Sequence, residues 1–235
     1  MNQSDSGRGD GRLLALLHLC DSLFPLGGFA HSDGLEFATA SGAIVTGRDL
    51  RAWLAACLDE TIGRAEGPTA LLAWTAWHDR AWERLVTLDS EATALRASSA
   101  ARRASRTMGA RLLTTWQGLY PSAGFDPVAA LVRDGRIGPT LPVAFGVVCA
   151  WSGIDQRSTG QAFAYTRLAA TVSAAMRLMS IGQTEAHALL AEALLQVPAV
   201  VDAMMVRGTA AESFAPMMDV SSMAQQYLHS RLFRS

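Results

Sequence analysis

The sequence predicts an all-α fold: a single bundle-like domain of roughly ten helices with an extended C-terminal tail. Three observations carry this reading. Apolar side chains recur along most of the chain at the spacing of one helix face. No run alternates polar and apolar residues between hairpin turns, and the Gly-rich segments lack the flanking strands of a βαβ unit. The periodic stretches stop at Gly, Pro or capping residues, as helices do. At 235 residues the chain can bury a substantial core without disulfides or metals. It shows no internal repeat.

Taken in order, residues 1–12 are polar and rich in Gly, Asp and Ser. They read as a disordered leader, because no apolar stretch stands behind a basic start as in a signal peptide. Leu13 to Leu19 make a short apolar helix that ends ahead of Pro25, Gly27 and Gly28. A second helix starts near Ser32, its N-cap, with Asp33 and Glu36 at the positive end of the dipole, and stops at Gly42. Thr46 caps the clearest helix, with Asp49 completing a capping box. Leu50, Trp53, Leu54, Cys57, Leu58, Thr61 and Ile62 form its apolar face, and Gly67–Pro68 breaks it. The next helix carries Leu71, Trp74, Trp77, His78, Trp82 and Leu85. A longer one runs from about Ser90 to Leu119, with a polar centre rich in Ser and Arg. Short helices come next at Pro127–Arg133 and Pro142–Trp151, then a long one from about Ser158 to Met179. A further helix spans Thr184 to about Leu195, and Pro198 kinks or divides the stretch up to Arg207. The domain is expected to cover 13–208, and 209–235 to form a docking tail that ends in basic and aromatic residues.

Half the residues are hydrophobic and 17% are charged, against about 25% charged in an average soluble domain. Either a partner covers apolar surface, or composition is biased toward Ala, Arg and Gly; every basic residue is Arg. A net charge of −1 supplies no global field for nucleic acid. Cys20, Cys57 and Cys149 are isolated, which suits buried thiols in a reducing compartment. No segment reaches roughly 18 consecutive apolar residues; the longest candidate, Leu141–Trp151, reads as a buried core helix.

Catalytic constellations are not found. His18, His31, His78, His187 and His229 lack a His or Cys partner one helical turn away, so no metal site is expected. There is no GxSxG elbow and, without Lys, no phosphate-binding GxxxxGK[ST] loop. Arg102, Arg103 and Arg106 make one basic patch. It is read first as a solvated or internally paired face, second as a contact for an acidic protein, and last as a nucleic-acid site.

Two segments resist a purely structural explanation. Phe24–Glu36 packs a proline turn, two adjacent glycines, an aromatic and a cap into one helix connection. Tyr227–Ser235 is a tail too apolar to leave in water, with Phe and Arg as typical anchors. Together they resemble the urease accessory protein UreF family. The early motif P-x-G-[GA]-[FY]-x-[HYS]-S-x-G-L-E reads here Pro25 to Glu36. The ending Y-S-R-L-F-R-S reads His229 to Ser235, and S-A-x-x-R-L-x-P-L-G-Q-T is similar to Ser173–Thr184. Ser180 stands where the family has Pro, His229 replaces Tyr, and Gln225, Gln226 and Leu228 depart from the usual tail.

The resemblance implies an all-helical adaptor, not an enzyme, with no cofactor. It would bind UreD (also called UreH), recruit the GTPase UreG and help deliver nickel to apo-urease, as a cytoplasmic homodimer. The docking residues it implies are Gly27, Gly28, Phe29, His31, Ser32 and Glu36 in the turn. In the tail they are Tyr227, Ser230, Arg231, Leu232, Phe233 and Arg234. Arg231 is expected to hold the ordered tail through charge-assisted hydrogen bonds. Gly28 is expected to adopt a backbone shape that Ala would strain. His31 is read as a satisfied hydrogen-bonding residue in preference to a transient nickel stop. The competing reading is a small helical metal-binding or enzymatic bundle, which would need inward Glu-x-x-His pairs that the sequence lacks.

Overall fold

The structure is a computed structural model that describes residues 3–121, 124–207 and 211–235, with side chains from residue 11 onward. Every described element is helical, so the all-α expectation holds. The expected Pro121–Gly124 loop and the 208/209 domain boundary fall partly or wholly outside the described residues.

The fold is organised around one apolar helix. α8 (Leu141–Trp151) is buried at every position from Leu141 to Ala150. A helix apolar on all sides must be surrounded, and α8 packs against α4 (Gly67–His78), α6 (Ser99–Leu119) and α9 (Gln156–Leu178). Phe145 of α8 meets Phe163 of α9 edge to face, with centroids 5.3 Å apart. Pro142 lies in the first turn of α8, where a missing N–H costs least.

The Thr46 capping box is present as the sequence predicts: Asp49 N donates to Thr46 Oγ1, and Thr46 N donates to Asp49 Oδ2 at 2.8 Å. α3 (Gly47–Ala56) then passes into a π-helical stretch, Cys57–Glu66, and on into α4. Gly67–Pro68 therefore does not break the rod. Pro68 falls in the first turn of α4, and Gly67 keeps helical angles. Leu50, Trp53, Leu54, Leu58 and Ile62 are all buried, as their spacing requires.

Elsewhere the boundaries shift. The expected single helix carrying Trp77 and Trp82 is two, because Arg80 takes a left-handed conformation between α4 and α5 (Trp82–Ala94). The expected 90–119 helix is also two: Ser98 caps α6 through the Ala101 N–H, which separates it from α5. α1 spans Gln3–Cys20 and so reaches back into the segment read as a disordered leader. Once its C-terminal half is docked, each added residue contributes one backbone hydrogen bond without a new nucleus. Ser32 is not the cap of α2 (Leu35–Ala40); Gly34 is, at φ 91°. α7 (Asp126–Arg133) lies where expected. The tail is not wholly extended: α12 (Pro216–Ala224) and a 3-10 turn, Gln225–Tyr227, precede its final residues.

α10 (Gln183–Leu194) and α11 (Val197–Arg207) lie in a 25-residue stretch, Gln183–Arg207, with a window of mean hydropathy 1.7, long and apolar enough by composition to cross a membrane. This stretch, not Leu141–Trp151, is the leading candidate by that criterion. α10 rests on α9 and α3, and α11 on α9, α4 and the π-helical stretch; Glu192 pairs with Arg51, and Asp202 with Arg157.

Cys20, Cys57 and Cys149 are free thiols. Burial pushes Cys20 up to about 11 and Cys57 up to about 12, so both stay protonated and unreactive at neutral pH.

Candidate functional site: a tail folded onto a helix connection

The two segments singled out in the sequence meet. Arg234 N donates to Ala30 O at 2.8 Å, and Ser32 N donates to Ser235 O at 2.5 Å. Beneath this pairing lies a buried carboxylate. Glu36, 6% exposed, accepts from the backbone N–H groups of Leu232 and Phe233, the latter at 3.2 Å. Gln225 completes the joint. Its Nε2 donates to Glu36 Oε2 at 3.1 Å, and its Oε1 accepts from Gly34 N at 3.2 Å and Ser32 Oγ at 3.1 Å. Several N–H donors on one buried carboxyl group satisfy its lone pairs and offset the loss of water.

Phe233 is the apolar anchor, 3% exposed and part of the main core. The Arg177 guanidinium lies 4.3 Å from its ring centroid and donates to Phe29 O at 2.7 Å. One arginine of α9 thus clamps turn and tail together. Phe29, Tyr227 and Leu232 face outward, with Phe29 and Tyr227 largely exposed. The joint therefore buries its polar groups and presents apolar ones, the reverse of an ordinary solvated surface.

Gly27 and Gly34 give the turn its shape. Both have positive φ. A Cβ on Gly34 would come within 2.7 Å of the Ser222 backbone nitrogen, so α12 could not approach. Gly28, expected to be the strained position, has ordinary angles, and a Cβ there would meet only Met108 Sδ at 3.8 Å. The demand falls one residue earlier, because Gly27 caps the 3-10 turn Gly28–Ala30.

His31 is half-buried, with Nδ1 2.6 Å from Ser235 Oγ, as a satisfied hydrogen-bonding residue would be. Its pKa is lowered from 6.5, first by burial and then by Arg167, Arg234 and Arg111 against the opposing pull of Asp33. His31 and the Ser235 hydroxyl share this hydrogen bond, with the ring tautomer setting which of them donates.

Arg231 does not hold the tail. Its side chain is exposed and makes no hydrogen bond or ion pair among the described residues. Glu36, Gln225 and Arg177 do that work, since backbone N–H groups pointing inward call for an acceptor and not for a cation. Ser230 is likewise exposed.

Below the turn, Asp33 adopts φ 50° and pairs with Arg167 and Arg96. Those arginines also grip Glu66, Arg167 Nε lying 2.9 Å from Glu66 Oε2. Two carboxylates and two guanidiniums tie the turn to the π stretch, α9 and the α5–α6 connection. Burial raises the pKa of Asp33, but Arg167 and Arg96 outweigh it and hold the group down at about 2. The Arg102–Arg103–Arg106 patch is divided. Arg102 donates to the carbonyls of Arg96 and Ala97, and Arg106 reaches Thr93, which leaves Arg103 apart.

Sequence reasoning missed Gln225, Arg177, Asp33 and Arg167 as site residues. Arg177 and Asp33 stand inside the quoted motifs, so their positions were visible though their roles were not. Gln225 offers no local signal, because its partners lie about 190 residues away in sequence. Among the described residues, no three His, Cys, Asp or Glu side chains cluster as a metal site would.

The fold and this joint define an all-helical protein whose last residues are locked onto an early helix connection, with apolar side chains left facing out. The UreF family profile matches residues 44–194. The chain is 33% identical to the urease accessory protein UreF of Methylibium petroleiphilum, over 97% of this chain and 95% of that one. It is 29% identical to UreF of Lachnoclostridium phytofermentans, over 96% of this chain and all of that one. Against the bifunctional urease accessory protein UreEF of Bordetella bronchiseptica it is 30% identical, over 96% of this chain and 52% of the longer one. The chain belongs to the urease accessory protein UreF family.

Proposed function

We propose that this chain is a cytoplasmic, non-enzymatic adaptor that binds UreD/UreH and recruits the GTPase UreG, so that nickel reaches apo-urease. It acts as a homodimer and contacts neither nucleic acid nor membrane. One observation supports this most: the joint at Glu36 spends its hydrogen bonds inward and turns Phe29, Tyr227 and Leu232 outward. Exposed aromatic and aliphatic anchors around a rigid, internally satisfied frame are what a docking surface needs. A relative named for both UreE and UreF fits a role in shared assembly. The docking residues we propose are Gly27, Gly28, Phe29, His31, Ser32 and Glu36 in the turn and Tyr227, Ser230, Arg231, Leu232, Phe233 and Arg234 in the tail; the buried ones among them, Ser32, Glu36 and Phe233, act by shaping the surface.

The test is size-exclusion chromatography of the purified chain with its cognate UreD and UreG, with and without GTP. Co-elution of a ternary complex is expected. Failure of the proteins to co-elute under either condition would refute the adaptor reading. Removal of residues 232–235 should abolish the complex and leave helicity unchanged; retained binding would refute docking through the tail.

A further inference from the structure

Beside the joint lies a groove of about 620 Å³, lined on one side by α6 and on the other by the turn and tail. Arg103, Thr107 and Arg111 are four residues apart and share one face of α6. Arg234 comes from the tail and Arg177 from α9. No Asp or Glu lines the groove. The side chains of Arg103, Arg111 and Arg234 make no hydrogen bond or ion pair among the described residues, although the chain as a whole carries a net charge of −1. Elsewhere arginines are widely paired: Arg51, Arg64, Arg84, Arg136, Arg157 and Arg207 all meet carboxylates. The side chains of Arg48, Arg80 and Arg231 are likewise without such a bond elsewhere on the surface, but Arg103, Arg111 and Arg234 are three such guanidiniums brought together around one concave place. Arg111 is held against Gly27, where a Cβ would come within 2.6 Å of its terminal nitrogen. Phe29 and Leu232 also line this groove, and both are exposed.

We infer that this groove binds an acidic segment of a protein partner, with Asp or Glu carboxylates on Arg103, Arg111 and Arg234 and a neighbouring apolar side chain against Phe29 and Leu232. The planar guanidinium matches a carboxylate through two parallel N–H···O bonds. Arg103, Arg111 and Arg234 are exposed around the groove, so their attractions for an acidic segment add but are weakened by salt; Arg234 and Arg111 also help to lower the pKa of His31. Nucleic acid fits less well. Four arginines around a short groove offer no continuous basic track, and Phe29 is the groove's only ring beyond His31. The inference rests on the adaptor reading for the identity of the partner, but not for the chemistry of the groove.

The experiment uses the full chain and fluorescence anisotropy. The probes are a fluorescein-labelled peptide of alternating Glu and Leu, a matched Gln/Leu peptide and a labelled single-stranded oligonucleotide. The Glu peptide is expected to bind and to lose affinity at least tenfold in the Arg103→Gln/Arg111→Gln double variant. An Arg133→Gln control on α7 should bind as the parent does. The Gln peptide and the oligonucleotide should bind at least tenfold more weakly than the Glu peptide. Equal binding of Glu and Gln peptides, unchanged binding by the double variant, or preferential binding of the oligonucleotide overturns the inference. Circular dichroism verifies that the variants fold, and the single variant Arg234→Gln gives an independent reading from a different element. Co-elution with UreD and UreG, run in parallel, separates the two claims. A parent chain that assembles, with a double variant that assembles equally well, sinks the groove and spares the adaptor reading. A parent chain that binds the Glu peptide but never assembles does the opposite.

Discussion

The α4–α8 core and the turn–tail joint are both buried, but they are held by different forces. In the core, Leu141 to Ala150 fill space against α4, α6 and α9, and shape and apolar contact do the holding. In the joint, one carboxylate, one amide and one guanidinium hold the last residues through hydrogen bonds and a cation–π contact. A core loss should therefore lower the stability of the whole molecule. A joint loss should free the tail and leave the bundle standing.

Phe145→Ala carries the largest expected effect. It empties a fully enclosed ring site that faces Phe163, and removal of a buried Phe costs about 3–5 kcal/mol. Chemical denaturation should show a lowered midpoint for the entire helical signal. A change confined to the tail would break the comparison from the core side.

Arg167→Leu comes next. Removing one member of a buried ion network strands the others, and such losses run to about 3–5 kcal/mol when burial is complete. The partial exposure of Asp33, 32%, places this variant at the lower end. Asp33 also gives it a pH signature. The folded pKa of about 2 lies below the ordinary 3.8, so the pair's stabilisation is present above pH 3.8 and lost as pH falls through 2. The variant should lack that acid-dependent component in a pH series of denaturation curves.

Glu36→Ala is expected to be smaller in global stability and larger in effect on the tail. It leaves the Leu232 and Phe233 N–H groups without their acceptor, a loss of about 1–3 kcal/mol. Hydrogen exchange at those two amides should speed up while α8 amides stay protected.

His31 gives the mildest effect. Its pKa is lowered in the folded protein. With the tail released, His31 takes up its proton at higher pH than with the tail docked, and acidification below pH 6.5 favours release. Exchange of the tail amides should accelerate between pH 7.5 and 5.5, after correction for intrinsic rates, and His31→Gln should flatten that dependence.

Much of the fold was legible. Apolar spacing places α8, the α3 face and the Thr46 cap correctly, because those features depend on neighbours within one or two turns. The splits at Arg80 and Ser98 and the π stretch were not legible, because tertiary packing overrides local periodicity there. The site was half legible. Both segments stood out, the tail as costly to expose and Phe24–Glu36 for its mix of proline, glycines, aromatic and cap, and they do meet. Which residues join them was assigned wrongly where the chemistry is long-range. Arg231 looked like the anchor because charge is conspicuous in sequence, whereas Gln225 acts through partners on α2 and the turn before it. Gly28 looked strained because it is one of a pair; only the backbone distinguishes it from Gly27.

The central claim is that Glu36 builds the docking surface by holding the tail in place. Its most direct test is co-elution of Glu36→Ala with UreD and UreG, beside the far-UV circular dichroism of the same sample. The account predicts parental helicity with assembly lost. Parental helicity with assembly intact would contradict it.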